Sequence, residues 1–227
     1  MKSSNGFIYP KSRVLKASEL PRVYRTLRAK FGSQDWWPGD TPFEVMVGAI
    51  LTQNAAWINV EKAIRNLKTE RALTPRVMQK LPLKKLARLI RPAGYFNVKA
   101  GRLKHFLSFF FEEYGGSIKR MAREDDAMLR EKLLGVKGVG PETADSILLY
   151  ALNKPFFVID TYTKRIFSRH RLHPWKKQYG DWQGVFTRAL PIKTSLYNDY
   201  HAQIVALGKH FCKTRPQCED CPLRQYL

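Results

Sequence analysis

The chain has 227 residues, with 40 Lys plus Arg against 19 Asp plus Glu, a formal net charge of +21 and a pI near 10.1. That balance predicts salt-dependent association with phosphates, although a basic protein of ribosomal type would carry the same charge without any chemistry. Hydrophobic residues at 44% and aromatics at 12% exclude a disordered chain, no apolar run is long enough to span a membrane, and three cysteines gathered near the C-terminus make no disulfide framework.

Taken in chain order, helical period recurs and strand alternation is almost absent. No secretory pattern follows Met1–Gly6, so a reducing, cytoplasmic setting is expected, and the first dozen residues carry only a weak pattern. After Thr41-Pro42, residues Phe43, Met46, Val47, Ile50 and Leu51 form one stripe; Trp57, Val60, Ile64 and Leu67 form a second. Thr74-Pro75 reads as a cap with a first-turn proline, and Leu86, Leu89 and Ile90 mark a short helix. Asn97 is a candidate cap for the next one, with Leu103, Phe106, Leu107 and Phe110 inside. Asp125 or Asp126 opens a helix that runs to Leu134. The helix that follows buries Ala144, Ile147, Leu148 and Ala151. Beyond Pro155 the run Phe156–Ile159 reads as an extended approach to Asp160, and helices are expected over 161–171, 181–190 and 195–211.

Between two of these helices lies Leu133-Leu134-Gly135-Val136-Lys137-Gly138-Val139-Gly140-Pro141-Glu142. Gly138-Val139-Gly140 is a tight turn exposing backbone N–H groups, and Pro141 suits a helix's first turn. Glycines leading into a helix N-terminus bind phosphate. Asp160 follows Glu142 by eighteen residues (160 − 142 = 18). This segment resembles the helix-hairpin-helix DNA glycosylases, the superfamily of endonuclease III. The resemblance implies that Gly138, Val139 and Gly140 grip the DNA backbone and that Asp160 stabilises the cationic sugar formed as the base leaves. Members that also cut the backbone carry a lysine two residues after the hairpin glycine. Here Glu142 holds that position and Lys137 lies on the other side of the turn, which implies a monofunctional enzyme. The implied fold is all-α, with two interleaved helical domains: 36–150, six helices ending in the hairpin, and 1–35 plus 151–227. The first helix, near 17–31, packs with the C-terminal helices, and a lesion cleft lies between the domains with Asp160 at its rim.

Further words narrow the branch. Trp36-Trp37-Pro38, Leu51-Thr52-Gln53-Asn54, Trp57 and Arg91-Pro92-Ala93-Gly94-Tyr95-Phe96-Asn97-Val98-Lys99-Ala100 are similar to the 3-methyladenine DNA glycosylases of the endonuclease III type. The match runs from about Trp36 to Ile166. It implies a base excision repair enzyme acting as a monomer on double-stranded DNA that contains a damaged base, at the nucleoid. The base must be flipped out before its glycosidic bond can be reached. A 3-alkylated adenine is cationic, which weakens that bond and makes aromatic faces good partners. Trp36, Trp37, Trp57 and Tyr95 are candidates for that pocket, and Gln53 matches the position that fills the gap left by the base. Each residue also has a plainer reading. Trp57 sits on an apolar stripe, Trp36-Trp37 can anchor the domain's start, Gln53 can cap a helix, Tyr95 and Phe96 can pack a turn, and Asp160 can cap the helix after it. A uracil or thymine-mismatch glycosylase on the same scaffold, and a noncatalytic DNA-binding relative, remain open.

Cys212, Cys218 and Cys221 resemble the iron–sulfur loop that ends many of these relatives. The family pattern has four cysteines with gaps of six, two and five. Here the first gap is five, and Leu227 stands where a fourth ligand is expected. A [4Fe–4S] cluster on three cysteines with an outside ligand, a metal-free remnant, and zinc completed by His210 are the three readings. His173, His201 and His210 share no metal spacing and receive no role.

Overall fold

A computed structural model of the chain describes residues 13–34, 36, 37 and 39–227. The readings made on Met1–Gly6, on the first dozen residues and on Pro38 lie outside the described residues. Every element among the described residues is helical, in keeping with the all-α expectation. The α-helices are α1 (Leu20–Phe31), α2 (Pro42–Leu51), α3 (Trp57–Thr69), α4 (Pro75–Lys80), α5 (Leu83–Leu89) and α6 (Phe96–Tyr114). They continue with α7 (Ile118–Ala122), α8 (Asp126–Gly135), α9 (Pro141–Ser146), α10 (Thr161–Arg169), α11 (Tyr179–Ala189) and α12 (Thr194–His210). A π-helical turn, Ile147–Ala151, prolongs α9.

The chain divides into two compact units, residues 38–154 and residues 1–37 with 155–227. The first holds α2 to α9, eight helices where the resemblance implied six over 36–150. Its starts follow from side-chain caps. Thr41 Oγ1 accepts from the Glu44 amide at 3.2 Å, Thr74 Oγ1 from Val77 at 3.4 Å, and Asp125 Oδ1 from Ala127 and Met128, both at 3.0 Å. α6 departs from expectation: it begins at Phe96, and Tyr95 rather than Asn97 is its cap, held left-handed at φ 45°. Gly94, at φ 69°, and Tyr95 turn the chain sharply out of the 3-10 turn Arg91–Ala93, so the helix starts before Asn97 can cap it. α7 was not foreseen, because five residues carry too little period to register. The core is formed by the expected stripes: Met46, Val47, Ile50, Val60, Leu67, Leu86, Leu103, Phe106 and Phe110 are fully buried. Each contributes about 1.5–3 kcal/mol by leaving water, and Phe106 stacks on Phe110 at 5.9 Å. Across the hairpin, Arg130 on α8 forks onto the fully buried Asp145 on α9 (Nε to Oδ1 2.6 Å, Nη2 to Oδ2 3.2 Å). That pair sets the spacing of the two helices.

In the second unit α12 packs on α1 and α10. Tyr200 donates from α12 to the Leu20 carbonyl at 3.0 Å, and Tyr24 to Asp199 at 2.6 Å. Phe157 stacks on Phe186 at 4.4 Å. Phe157, Val158 and Ile159 are all buried, with no strand partner. Three consecutive buried apolar residues suit an extended segment with protein on all sides, and that segment delivers Asp160 to the start of α10.

Candidate active site

Asp160 is the N-cap of α10, with extended backbone. Its Oδ1 accepts from the Thr163 amide at 2.7 Å and from Thr163 Oγ1 at 2.8 Å. Its Oδ2 stands 3.6 Å from His201 Nε2. The carboxyl side chain is 13% exposed. Burial opposes its ionisation. The His201 imidazole and the two Thr163 donors outweigh that, so the carboxyl is held below the ordinary aspartate value. Geometrically, one oxygen is committed to the cap and the other faces His201. The capping interpretation and the charge-stabilising one therefore use different atoms of one residue. His201, given no role by spacing, is the histidine that faces Asp160. The signal is absent from sequence, because His201 lies 41 residues downstream (201 − 160 = 41). Thr163 was not singled out either; its only signal is its place as the third residue of a capped helix.

In the other unit, Gly138 adopts φ 93° and a Cβ there would collide with the stem of Arg102. Gly140 caps α9 at φ −95° with open space where a Cβ would stand. The two glycines therefore serve different ends, a left-handed turn and an unobstructed approach. The Val139 amide donates to the Val136 carbonyl at 2.9 Å and its side chain is buried. Val139 thus anchors the hairpin from within, while the amides of Gly138 and Gly140 enter none of its backbone bonds. Lys137 is exposed, and His105 Nδ1 lies 3.3 Å from its carbonyl. Glu142 is exposed at the second position of α9.

Gln53, in the turn after α2, lies against this hairpin: its Nε2 donates to the Gly138 carbonyl at 3.0 Å and to Thr143 Oγ1 at 2.9 Å, and its Oε1 accepts from Arg102. Trp57 opens α3 and is partly exposed, with its indole N–H donating to Glu61 Oε1 at 2.6 Å. The residues buried on that helix are Val60, Ala63, Ile64 and Leu67, so Trp57, on the same stripe, stands at its partly exposed end. Tyr95 is 72% exposed. In the second unit Trp36 and Trp37 meet edge to face at 5.6 Å, which keeps them from forming one flat wall, and the Lys209 ammonium lies 5.5 Å over the Trp36 ring. Glu61, Arg102 and Thr143 carry no motif and were not singled out by sequence.

Cys212, Cys218 and Cys221 line one cavity together with Arg169, His170, Phe211 and Leu227. The Arg169 guanidinium donates to Cys212 Sγ at 3.2 Å and to the carbonyls of Lys213 (2.7 Å) and Thr214 (2.9 Å). Burial pushes the Cys221 thiol up to about 11. The three thiols are the ligand type a [4Fe–4S] cluster takes, and Leu227 lines the cavity in place of a fourth cysteine. His210 is exposed and does not line the cavity. Among the described residues, no group of three or more His, Cys, Asp or Glu is placed to hold a metal ion.

The chain is similar to known proteins along most of its length. Residues 47–190 match the family model described as HhH-GPD superfamily base excision DNA repair protein. A Methanocaldococcus jannaschii protein named "Putative DNA repair glycosylase MJ1434" is 46% identical over 213 residues, covering 93% of this chain and 96% of that one. The endonuclease III of Thermotoga maritima is 30% identical, covering 82% of each. The crystal structure of the H. pylori 3-methyladenine DNA glycosylase MagIII bound to 1,N6-ethenoadenine superposes with a TM-score of 0.75 at 28% identity, covering 86% of this chain and 98% of that one. The chain therefore belongs to the HhH-GPD superfamily of base excision DNA repair proteins, a family of DNA glycosylases.

Proposed function

We infer that the protein is a monofunctional DNA glycosylase that removes alkylated purines, 3-methyladenine first, and that it works as a monomer on nucleoid DNA in the cytoplasm. The observation that carries the reading is Asp160, a carboxylate kept ionised by His201 and Thr163, combined with Glu142 where a lysine nucleophile is expected. A cationic base needs no acid to leave. The N-glycosidic bond breaks with both electrons going to the base, which departs neutral. Asp160 Oδ2 stabilises the sugar cation until water adds to it and gives up a proton. Gln53 fills the gap in the stack. Trp57, with Trp36, Trp37 and Tyr95, supplies aromatic faces to a cation, and Gly138 and Gly140 offer amides to a backbone phosphate. Residues Cys212, Cys218 and Cys221 would hold a cluster, if one is bound, as a structural element of the tail. Likeness to the H. pylori 3-methyladenine enzyme supports the choice of base.

The test is a panel of duplexes, each with one 3-methyladenine, ethenoadenine, uracil or mismatched thymine, with the released base identified by chromatography. Wild type is expected to release methylated adenine. Asp160→Asn, which keeps a good helix cap, is expected to bind DNA as before and lose roughly 10²–10³-fold in single-turnover rate. Borohydride is expected to trap no covalent adduct. Release of uracil alone would overturn the substrate assignment, and an efficient trap would overturn the monofunctional one.

A further inference from the structure

Four residues from separate stretches of the 38–154 unit meet at one point: Gln53 after α2, Arg102 on α6, Gly138 in the hairpin and Thr143 on α9. Both hydrogens of the Gln53 amide are spent, one on the Gly138 carbonyl and one on Thr143 Oγ1. Its oxygen is taken by the Arg102 guanidinium. The stem of Arg102 also covers Gly138, whose Cβ-less, left-handed backbone is what lets the arginine approach. One side chain thus touches both the hairpin glycine and the glutamine.

We propose that Arg102 is a positioning residue for base extrusion. It fixes Gln53 against the hairpin, so that the gap-filling amide stands in one place when the hairpin seats a phosphate. The proposal rests on the reading of Gln53 as the group that fills the gap left by the base. A solvated glutamine would have to lose its rotamer freedom on DNA, whereas this one has lost it during folding. Of its three partners only Arg102 is charged, and a charge-assisted bond is the strongest of the set.

The test uses the full chain and a duplex with 2-aminopurine beside a 2′-fluorinated target nucleotide, which keeps its base and resists cleavage; the 2-aminopurine fluorescence rises as that base leaves the stack. Arg102→Met is expected to cut the rate of that rise several-fold when Gln53 is present, and to change nothing in a Gln53→Ala background. Thr143→Val, which removes a hydroxyl at constant shape, is expected to act in the same direction. The salt dependence of binding to undamaged duplex is expected to stay the same. Multiplying effects of the two substitutions, or a salt slope lower by about one, would make Arg102 a phosphate contact and overturn the proposal. Hydrogen exchange of the Gln53 side-chain amide keeps the two ideas apart. Faster exchange in Arg102→Met is expected, and unchanged exchange overturns the tie itself. Faster exchange together with a fluorescence rise indifferent to Gln53→Ala refutes the gap-filling reading, and with it the role proposed for Arg102.

Discussion

At the residue scale Asp160 and Trp57 each stand at the start of a helix, and each meets one titratable neighbour, His201 and Glu61 respectively. Asp160 caps α10 through Oδ1, and His201 keeps its remaining charge in place down to acidic pH. No loss of activity near neutrality is expected from its titration. Trp57 has its ring edge fastened to Glu61 and stands at the partly exposed end of the buried stripe. Trp57→Ala is therefore expected to leave the melting temperature nearly unchanged. It should slow release of a cationic base more than of a neutral one, by the cation–π share of about 0.5–2 kcal/mol. Single-turnover rates on 3-methyladenine and uracil duplexes, with a thermal melt alongside, measure both. Equal losses on the two bases with a lowered melting temperature would return Trp57 to the core.

The hairpin is the element where glycine does most, and its two glycines are not equivalent. Gly138 needs φ 93° and has Arg102 where a side chain would go, so Gly138→Asp disturbs the turn before it meets any DNA. Gly140 needs neither, and as an N-cap it accepts aspartate well. Gly140→Asp is expected to hold or raise thermal stability. It should weaken binding to damaged and undamaged duplex alike by roughly tenfold, about 1.4 kcal/mol, because a carboxylate then occupies the phosphate's place. Anisotropy titrations on both duplexes decide it; unchanged affinity would move the phosphate clamp to other basic residues. The spacing of α8 and α9 on either side rests on Arg130 and Asp145. Neither residue has a motif, and only the turn of the chain brings them together.

For the folded molecule as a whole, a cation taken out of water is costly. Lys99 is 1% exposed, and its ammonium donates to the Leu51 carbonyl at 2.8 Å and the Ala93 carbonyl at 2.7 Å, closing the ends of α2 and of a 3-10 turn. Burial, reinforced by the charge of Arg102, pushes it down to about 8. A neutral amine still has two hydrogens for those two carbonyls. The folded value lies below the unfolded value of 10.5, so between them the unfolded chain binds more protons and stability rises with pH. Urea unfolding is expected to show about 2 kcal/mol more stability at pH 9.5 than at pH 7 from this group. A Lys99→Met variant should lack that rise. A wild-type profile no steeper than the variant's would place an ordinary lysine there.

Helices with a cap and a long apolar stripe were legible before folding, because local backbone preference and a 3.6-residue period act within one segment. Thr41, Thr74 and Asp125 start helices where their side chains imply, and Leu103, Phe106 and Phe110 are buried as their spacing requires. The hairpin and the cap at Asp160 were legible for the same reason, since their residue types suit one local geometry, whereas the chemistry expected of Asp160 came from the family resemblance. The five-residue α7 and the left-handed Tyr95 were not, since a short helix carries no measurable period and a positive φ at tyrosine is imposed by its surroundings. His201 beside Asp160, Glu61 under Trp57, and Arg102 and Thr143 around Gln53 became neighbours only on folding. Those pairings depend on which helix faces meet, and side chains brought together from distant elements leave no spacing in a linear chain by which to recognise them.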